Sequence, residues 1–189
     1  MGWEWRLFYR PHESCEAVHS ELEAASAQAR TDIYYPHSKE IGLKARGGTN
    51  DLELKHRKEA ADGWEKWKKR RCQSVEEVGE VILELTGQST AVTLDKHVTV
   101  AKSRRQAMLG MVLLEQTELL VSVGIGPQQL WQTVALEGKR KQCAPMLGPI
   151  TEACKRNAIN GDVRCCGYPE FVLNLQPGAL ANAGESPDN

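Results

Sequence analysis

No stretch of this 189-residue chain approaches the roughly 20 consecutive apolar residues that a membrane-spanning helix requires. The start, Met1-Gly2-Trp3-Glu4-Trp5-Arg6, lacks the basic segment and apolar core of a signal peptide, so a cytoplasmic address is the expectation. The six cysteines (Cys15, Cys72, Cys143, Cys154, Cys165 and Cys166) include no CxxC, which removes the usual zinc spacing and the dithiol redox motif. Reduced thiols are expected, because an unstrained bridge between the neighbours Cys165 and Cys166 is geometrically difficult. There is no internal repeat. Net charge is also nearly absent, at −1, but that balance conceals an asymmetry. Residues 39–71 hold eleven Lys and Arg against six Asp and Glu, whereas residues 72–95 hold five Asp and Glu and no Lys or Arg. The basic part is a candidate anion site.

What is present is an alternation of charged and apolar residues with a period of two. Ile41-Gly42-Leu43-Lys44-Ala45-Arg46 is followed, after Gly47-Gly48-Thr49-Asn50, by Asp51-Leu52-Glu53-Leu54-Lys55-His56-Arg57. Successive strand residues point to opposite faces, so Lys44 and Arg46 share one face, and Glu53, Lys55 and Arg57 share one face of the next strand. Residues 3–10 alternate in the same way, with Glu4, Arg6, Phe8 and Arg10 on one side. Lys102 and Arg104 again face together. Further strands are expected at 31–35, 64–70, 91–95, 96–105, 108–123 and 131–137. Helices are expected at 13–29, after the Ser74/Glu77 capping box to a stop at Gly87, and at 150–159 with a stop at Asn160-Gly161. Tyr168 to Leu175 closes the folded part. Residues 1–176 therefore read as one mainly antiparallel α+β domain, with about eight strands closed or nearly closed into a tunnel or barrel and about three flanking helices. Residues 177–189, dominated by Pro, Gly, Ala, Asn and Ser, read as a disordered tail.

With that parity the inward basic set is Arg6, Arg10, Lys44, Arg46, Lys55, Arg57, Lys102 and Arg104. Two like charges about 6 Å apart repel by roughly 3 kcal/mol at an effective dielectric near 20. Glu4, Glu53 and Glu137 offset only part of this, so the missing countercharge is most naturally a bound polyanion. The mixture of planar Arg forks and mobile Lys charges suits a phosphate chain.

These segments, in this order over residues 2–175, resemble the CYTH or triphosphate tunnel metalloenzyme superfamily, and within it a divergent thiamine triphosphatase-like member. Gly42-Leu43-Lys44-Ala45-Arg46 is similar to the family's Leu-Arg-x-Arg strand, and Leu52-Glu53-Leu54-Lys55 to its lysine-bearing strand. Val98 to Arg104 is similar to the KxR strand, Trp131 to Glu137 to the late acidic strand, and Gly167-Tyr168-Pro169-Glu170-Phe171 to the terminal segment of many relatives. The resemblance implies an eight-stranded basic tunnel and a metal-dependent triphosphatase. Arg6, Lys44, Arg46, Lys55, Arg57, Lys102 and Arg104 would grip phosphate. Lys55 and Glu137 would act in the chemistry, and Glu4, Glu137 and Glu53 are the candidate ligands of one Mg or Mn ion. The chain departs from the family where ExExK overlays Gly2-x-Glu4-x-Arg6 and where the late ExE overlays Ala135-Leu136-Glu137. Two carboxylates are missing.

Several bland readings stand beside this one. Glu53 is as well explained by ion pairing to its basic neighbours as by metal binding. His56 lies on the apolar parity of its strand, and Trp64 and Trp67 read more readily as core or lid than as stacking platforms. A non-catalytic module that binds polyphosphate, a phosphorylated ligand or, less readily, RNA would use the same concavity. Interstrand salt bridges on an exposed sheet face would need no ligand at all.

Overall fold

The computed structural model describes residues 2–12, 16–47, 49 and 51–176. Eight antiparallel strands close into a barrel: β1 (Trp3–Pro11), β2 (Gln28–Tyr35), β3 (Ile41–Arg46), β4 (Leu52–Ala61), β5 (Trp64–Cys72), β6 (Val98–Leu109), β7 (Val112–Val123) and β8 (Gln129–Gly138). The order around the wall is β5-β4-β3-β2-β6-β7-β8-β1, and β1 returns to β5 through only two residue pairs, Glu4 with Glu65 and Trp5 with Trp64. Beyond that short seam a ninth strand, β9 (Ala158–Cys165), takes over the free edge of β1. Among the described residues four helices complete the structure: α1 (Ser20–Glu23), α2 (Val75–Thr86), α3 (Arg140–Asn157) and α4 (Tyr168–Leu173).

The period-two patterning explains which side faces where. Outward residues of β3 and β4, Ile41, Leu43, Leu52 and Leu54, are buried against Val78, Val81 and Ile82 of α2. Outward residues of β1 and β8, including Trp5, Leu7, Tyr9, Val134 and Leu136, bury against Cys143, Ile150 and Cys154 of α3. The inside of the barrel is divided. At one end Phe8, Val98, Val100, Leu119, Val121 and Trp131 pack against Tyr168, Phe171 and Val172 of α4, with Phe8 and Phe171 stacked at a ring-centroid distance of 4.0 Å. Each fully buried side chain of this size contributes about 1.5–3 kcal/mol. α4 therefore stops that end, and charged residues occupy the other half.

Several sequence expectations are corrected. The helix expected at 13–29 is realised only as the four residues of α1; residues 13–15 lie outside the described residues. Helix propensity loses here because Gln28 onward is paired to β6, while Gln116 on the barrel wall accepts from Val18 N and donates to the Glu16 carbonyl. Residues 91–95 form no strand; Val92 and Leu94 pack against the α2 side of the barrel. The run 108–123 is split by a turn at Gly110-Met111 that joins β6 to β7. α3 begins ten residues earlier than expected and runs through Pro145 and Pro149, and it ends at Asn157. Asn160 and Gly161, at φ 58° and 69°, bend β9 instead of stopping a helix. The tail expected at 177–189 lies outside the described residues. Cys72, Cys143, Cys165 and Cys166 are free thiols, and Cys15 lies outside the described residues. Among the described residues no helix is long and apolar enough to cross a membrane.

Candidate functional site

The charged half of the barrel encloses a cavity of about 260 Å³ whose walls carry Arg6, Arg30, Lys44, Arg46, Lys55, Lys69, Lys102 and Arg104. Glu4, Glu53, Glu115 and Glu137 share those walls, Tyr34 and Thr117 contribute hydroxyls, and Tyr168 and Pro169 of α4 lie against it. Asp32, fully buried, stands directly behind them. Register assembles the set. Lys44 lies opposite Glu53 on β4, Arg30 opposite Lys102 on β6, and Glu4 opposite Glu137 on β8.

Four carboxylates organise the cations. Arg6, only 5% exposed, donates to Glu4 Oε1 at 3.0 Å and to Glu115 Oε1 at 3.0 Å. Lys55 reaches the other oxygen of Glu4 at 2.8 Å. Asp32 gathers Arg30 at 3.0 Å, Lys44 at 3.3 Å and Lys102 at 3.1 Å, and Glu53 holds Lys44 at 3.2 Å and Arg46 at 2.8 Å. Burial opposes ionisation of Glu4, but Arg6 and Lys55 outweigh it and bring the carboxyl down to about 2. Asp32, Glu53 and Glu115 are lowered by the same contest between burial and their cations. Burial depresses Lys44 and, much more strongly, Lys102; Asp32 offsets part of it.

Glu137 behaves differently. Among the described residues it forms no ion pair, and burial followed by the neighbouring Glu4 and Glu115 raises its pKa. A carboxyl raised in the folded state lowers stability as pH climbs from the unfolded value through the folded one. Glu137→Gln is therefore expected to leave stability at pH 7 unchanged or to raise it by up to about 1 kcal/mol, read by urea unfolding. A loss larger than about 1 kcal/mol would show that the carboxylate has a stabilising partner.

Of the residues singled out from the sequence, Arg6, Lys44, Arg46, Lys55, Lys102, Arg104, Glu4, Glu53 and Glu137 do meet around one cavity. Two do not. Arg57 points into the barrel nearer its sealed end, where it pairs with Glu65 at 2.9 Å and Glu40 at 2.8 Å. Arg10 is exposed, with its guanidinium 5.9 Å from the Trp131 ring. Trp64 and Trp67 are core residues, at 3% and 6% exposure. Sequence reasoning missed Arg30, Asp32, Lys69, Glu115 and Thr117. Arg30 and Asp32 share the parity of Tyr34 on β2, a signal that was there to be used. Glu115 lies opposite Ala135 in the β7–β8 register, so its carboxylate reaches the cavity from the neighbouring strand.

A divalent ion finds a mixed environment here. Glu137 is uncommitted, but both oxygens of Glu4 already accept from cations, and Glu53 is held by two. Among the described residues no group of three or more His, Cys, Asp and Glu side chains is arranged to hold a metal ion. Thr117 Oγ1 is buried on the cavity wall with no hydrogen-bond partner, a polar group awaiting one.

No protein-family profile matches the chain, and no curated protein matches it. Solved structures do. A conserved hypothetical protein of Pyrococcus furiosus aligns over 89% of this chain and 99% of its own, at 18% identity and a TM-score of 0.41. A protein of Pyrococcus horikoshii OT3 covers the same shares at 16% identity and 0.45. A Bacillus halodurans protein described as a "putative adenylate cyclase" covers 82% of this chain and 91% of its own, at 13% identity and 0.43. At these scores the likeness carries no functional argument, which has to come from the cavity.

Proposed function

We propose that the cavity binds the phosphate chain of a triphosphate or short polyphosphate and hydrolyses its terminal phosphoryl group with the help of one Mg or Mn ion, as a triphosphatase-like phosphohydrolase of the CYTH kind. The observation that carries this reading is the charge count: eight cations on the walls of one cavity face five carboxylates, Asp32 included, leaving an excess of three positive charges in a half-enclosed space. Among the described residues seven of those cations, all but Lys69, are held on strands by ion pairs, so an anion meets a largely preorganised set, and little ordering cost remains to be met on binding. Thr117 adds a hydroxyl donor. A cavity of about 260 Å³ suits the end of a phosphate chain and is too small for an RNA strand.

In this reading Lys44, Arg46, Lys55, Lys102 and Arg104 grip phosphate oxygens, joined by Arg30 and Lys69. Arg57 has no part in it. Glu137, with Glu4 beside it, would hold the divalent ion, which would neutralise charge developing on the phosphoryl oxygens. A water oxygen attacks the terminal phosphorus, and the bridging P–O bond breaks with its electron pair leaving on the shortened phosphate. Lys55 stabilises that leaving charge, Glu137 would act through the ion it holds, and the proton of the water passes to solvent.

The test is incubation with tripolyphosphate, thiamine triphosphate and nucleoside triphosphates plus Mg or Mn, with phosphate release as the readout. Release that falls at least a hundredfold in Glu137→Gln and Lys55→Met supports the reading. A second reading, binding without turnover, is favoured by Ala135 and by the commitment of Glu4 and Glu53 to cations. Tight tripolyphosphate binding in calorimetry with no release from any substrate would select it, and absence of both would sink the two together.

A further inference from the structure

α4 contributes no charged side chain to the cavity, yet two of the cations rest on it. The Tyr168 ring lies 3.9 Å from Lys102 Nζ and 4.8 Å from Arg6 Cζ, and is itself stacked on Tyr34 at 5.4 Å with 9° between planes. Such contacts hold a buried cation's head group in place. What seats α4 inside the barrel is a pair of glycines. A Cβ on Gly42 would stand 2.7 Å from Pro169 Cγ, and one on Gly167 would collide with the Glu65 carboxylate and lie 2.9 Å from Trp67 Cζ2. Gly42 occupies an inward position of β3, opposite Lys55, where a glycine weakens the strand and marks a close approach by another segment.

We propose that Gly42 is a positioning residue of this site: its missing side chain admits Pro169, which seats α4 and so holds the Tyr168 ring beneath Lys102 and Arg6 as the floor on which a bound anion stops. The proposal rests on the phosphate-binding reading above and adds to it a residue that has neither charge nor side chain. With any larger residue at 42, Pro169 has to withdraw, the floor shifts, and Lys102 and Arg6 lose one of their supports.

The test uses calorimetry with tripolyphosphate on the full chain, alongside thermal melting to verify folding. Wild type is expected to bind, Gly42→Ala to bind about tenfold more weakly, and Gly42→Ala/Pro169→Ala to recover to within about threefold of wild type. Recovery is expected because alanine at 169 removes the Cγ that is 2.7 Å away and leaves a Cβ at 3.5 Å, an ordinary contact. A general loss of strand stability at 42 would not be repaired by a change on α4. Wild-type affinity in Gly42→Ala, or a double variant as weak as the single, overturns the proposal. Should Gly42→Ala fail to fold, Tyr168→Leu, which leaves the Gly42 to Pro169 contact intact, is expected to weaken binding about tenfold, and unchanged affinity there overturns it equally. No binding by wild type would instead remove the phosphate reading.

Discussion

Replacing Arg6 by Met is expected to destabilise the protein by about 3–5 kcal/mol, measured by urea unfolding at pH 7. The variant keeps a flexible unbranched stem and removes the guanidinium, its charge and its hydrogen bonds to Glu4, Glu115 and Thr133 together. Glu4 and Glu115 then lose the guanidinium that lies 3.0 Å from each, and both sit in a wall where water replaces it poorly. Leaving a buried charge without its partner is what makes such substitutions costly; an exposed pair would be worth at most about 1 kcal/mol. The pH dependence should change with it. Glu4, Glu53, Glu115 and Asp32 all have lowered pKa values, so they stabilise the fold above the unfolded carboxylate range. That stability is lost as pH falls through the folded values, down to about 2 for Glu4. In Arg6→Met the carboxyls of Glu4 and Glu115 are expected to titrate at higher pH, moving the acid transition upward. A loss under about 1 kcal/mol with an unchanged acid limb would show that Lys55 and Arg104 suffice for these carboxylates.

The second large effect is expected at Asp32. Asp32→Asn keeps the shape and removes the one negative charge shared by Arg30, Lys44 and Lys102, with an expected cost of about 3–5 kcal/mol. Here the ligand should act in place of the lost group. A ligand that binds only the native state stabilises wild type by about 2.7 kcal/mol at one hundred times its Kd. In Asp32→Asn, Arg30 and Lys102 lose their carboxylate and Lys44 keeps only Glu53, so tripolyphosphate at the same concentration should raise the melting temperature by more than it does in wild type. Phosphate-free polyanions of similar charge that do not enter the cavity should not. An equal or smaller shift in the variant would mean that these three cations serve the barrel alone and do not meet the ligand.

Strand parity made most of the site legible because period two is a local property. Once Lys44, Arg46, Lys55, Lys102 and Arg104 are assigned to a face, barrel closure does the rest. Parity carries no information about depth, however. Arg57 has the inward face and still misses the cavity, since its height along β4 places it beside Glu65 and Glu40. Arg10 fails for the same reason at the end of β1. Asp32 and Glu115 were hidden differently. Asp32 is the single acidic residue of β2 and Glu115 shares β7 with Glu118, and the importance of each comes from neighbours on other strands that are distant in sequence. Asp32 and Glu115, with Glu4, Glu53 and Glu137, supply five countercharges from within the barrel, so an external polyanion has only the remaining excess to offset. Helix propensity misled at 13–29, where pairing of β2 to β6 and the Gln116 contacts decide the conformation. α3 exceeded its expected length because packing of Cys143, Ile150 and Cys154 outweighs two interior prolines.

The placement of β1 has a bearing on when the cavity comes into being. Arg6 on the first strand and Thr133 on β8 are joined across 127 positions of sequence, and β9 and α4 come later still. Hairpins such as β4–β5 and β6–β7 can pair as they emerge during synthesis, whereas β1 has to wait for the last third of the chain, and long-range closure of this kind is slow. Arg6, Arg30 and Lys44 are made early and remain scattered along an open sheet until β8 arrives and α4 enters the barrel. The charged cavity is accordingly a late product of folding, and a nascent chain, although it already carries most of the cations, has no interior in which to gather them.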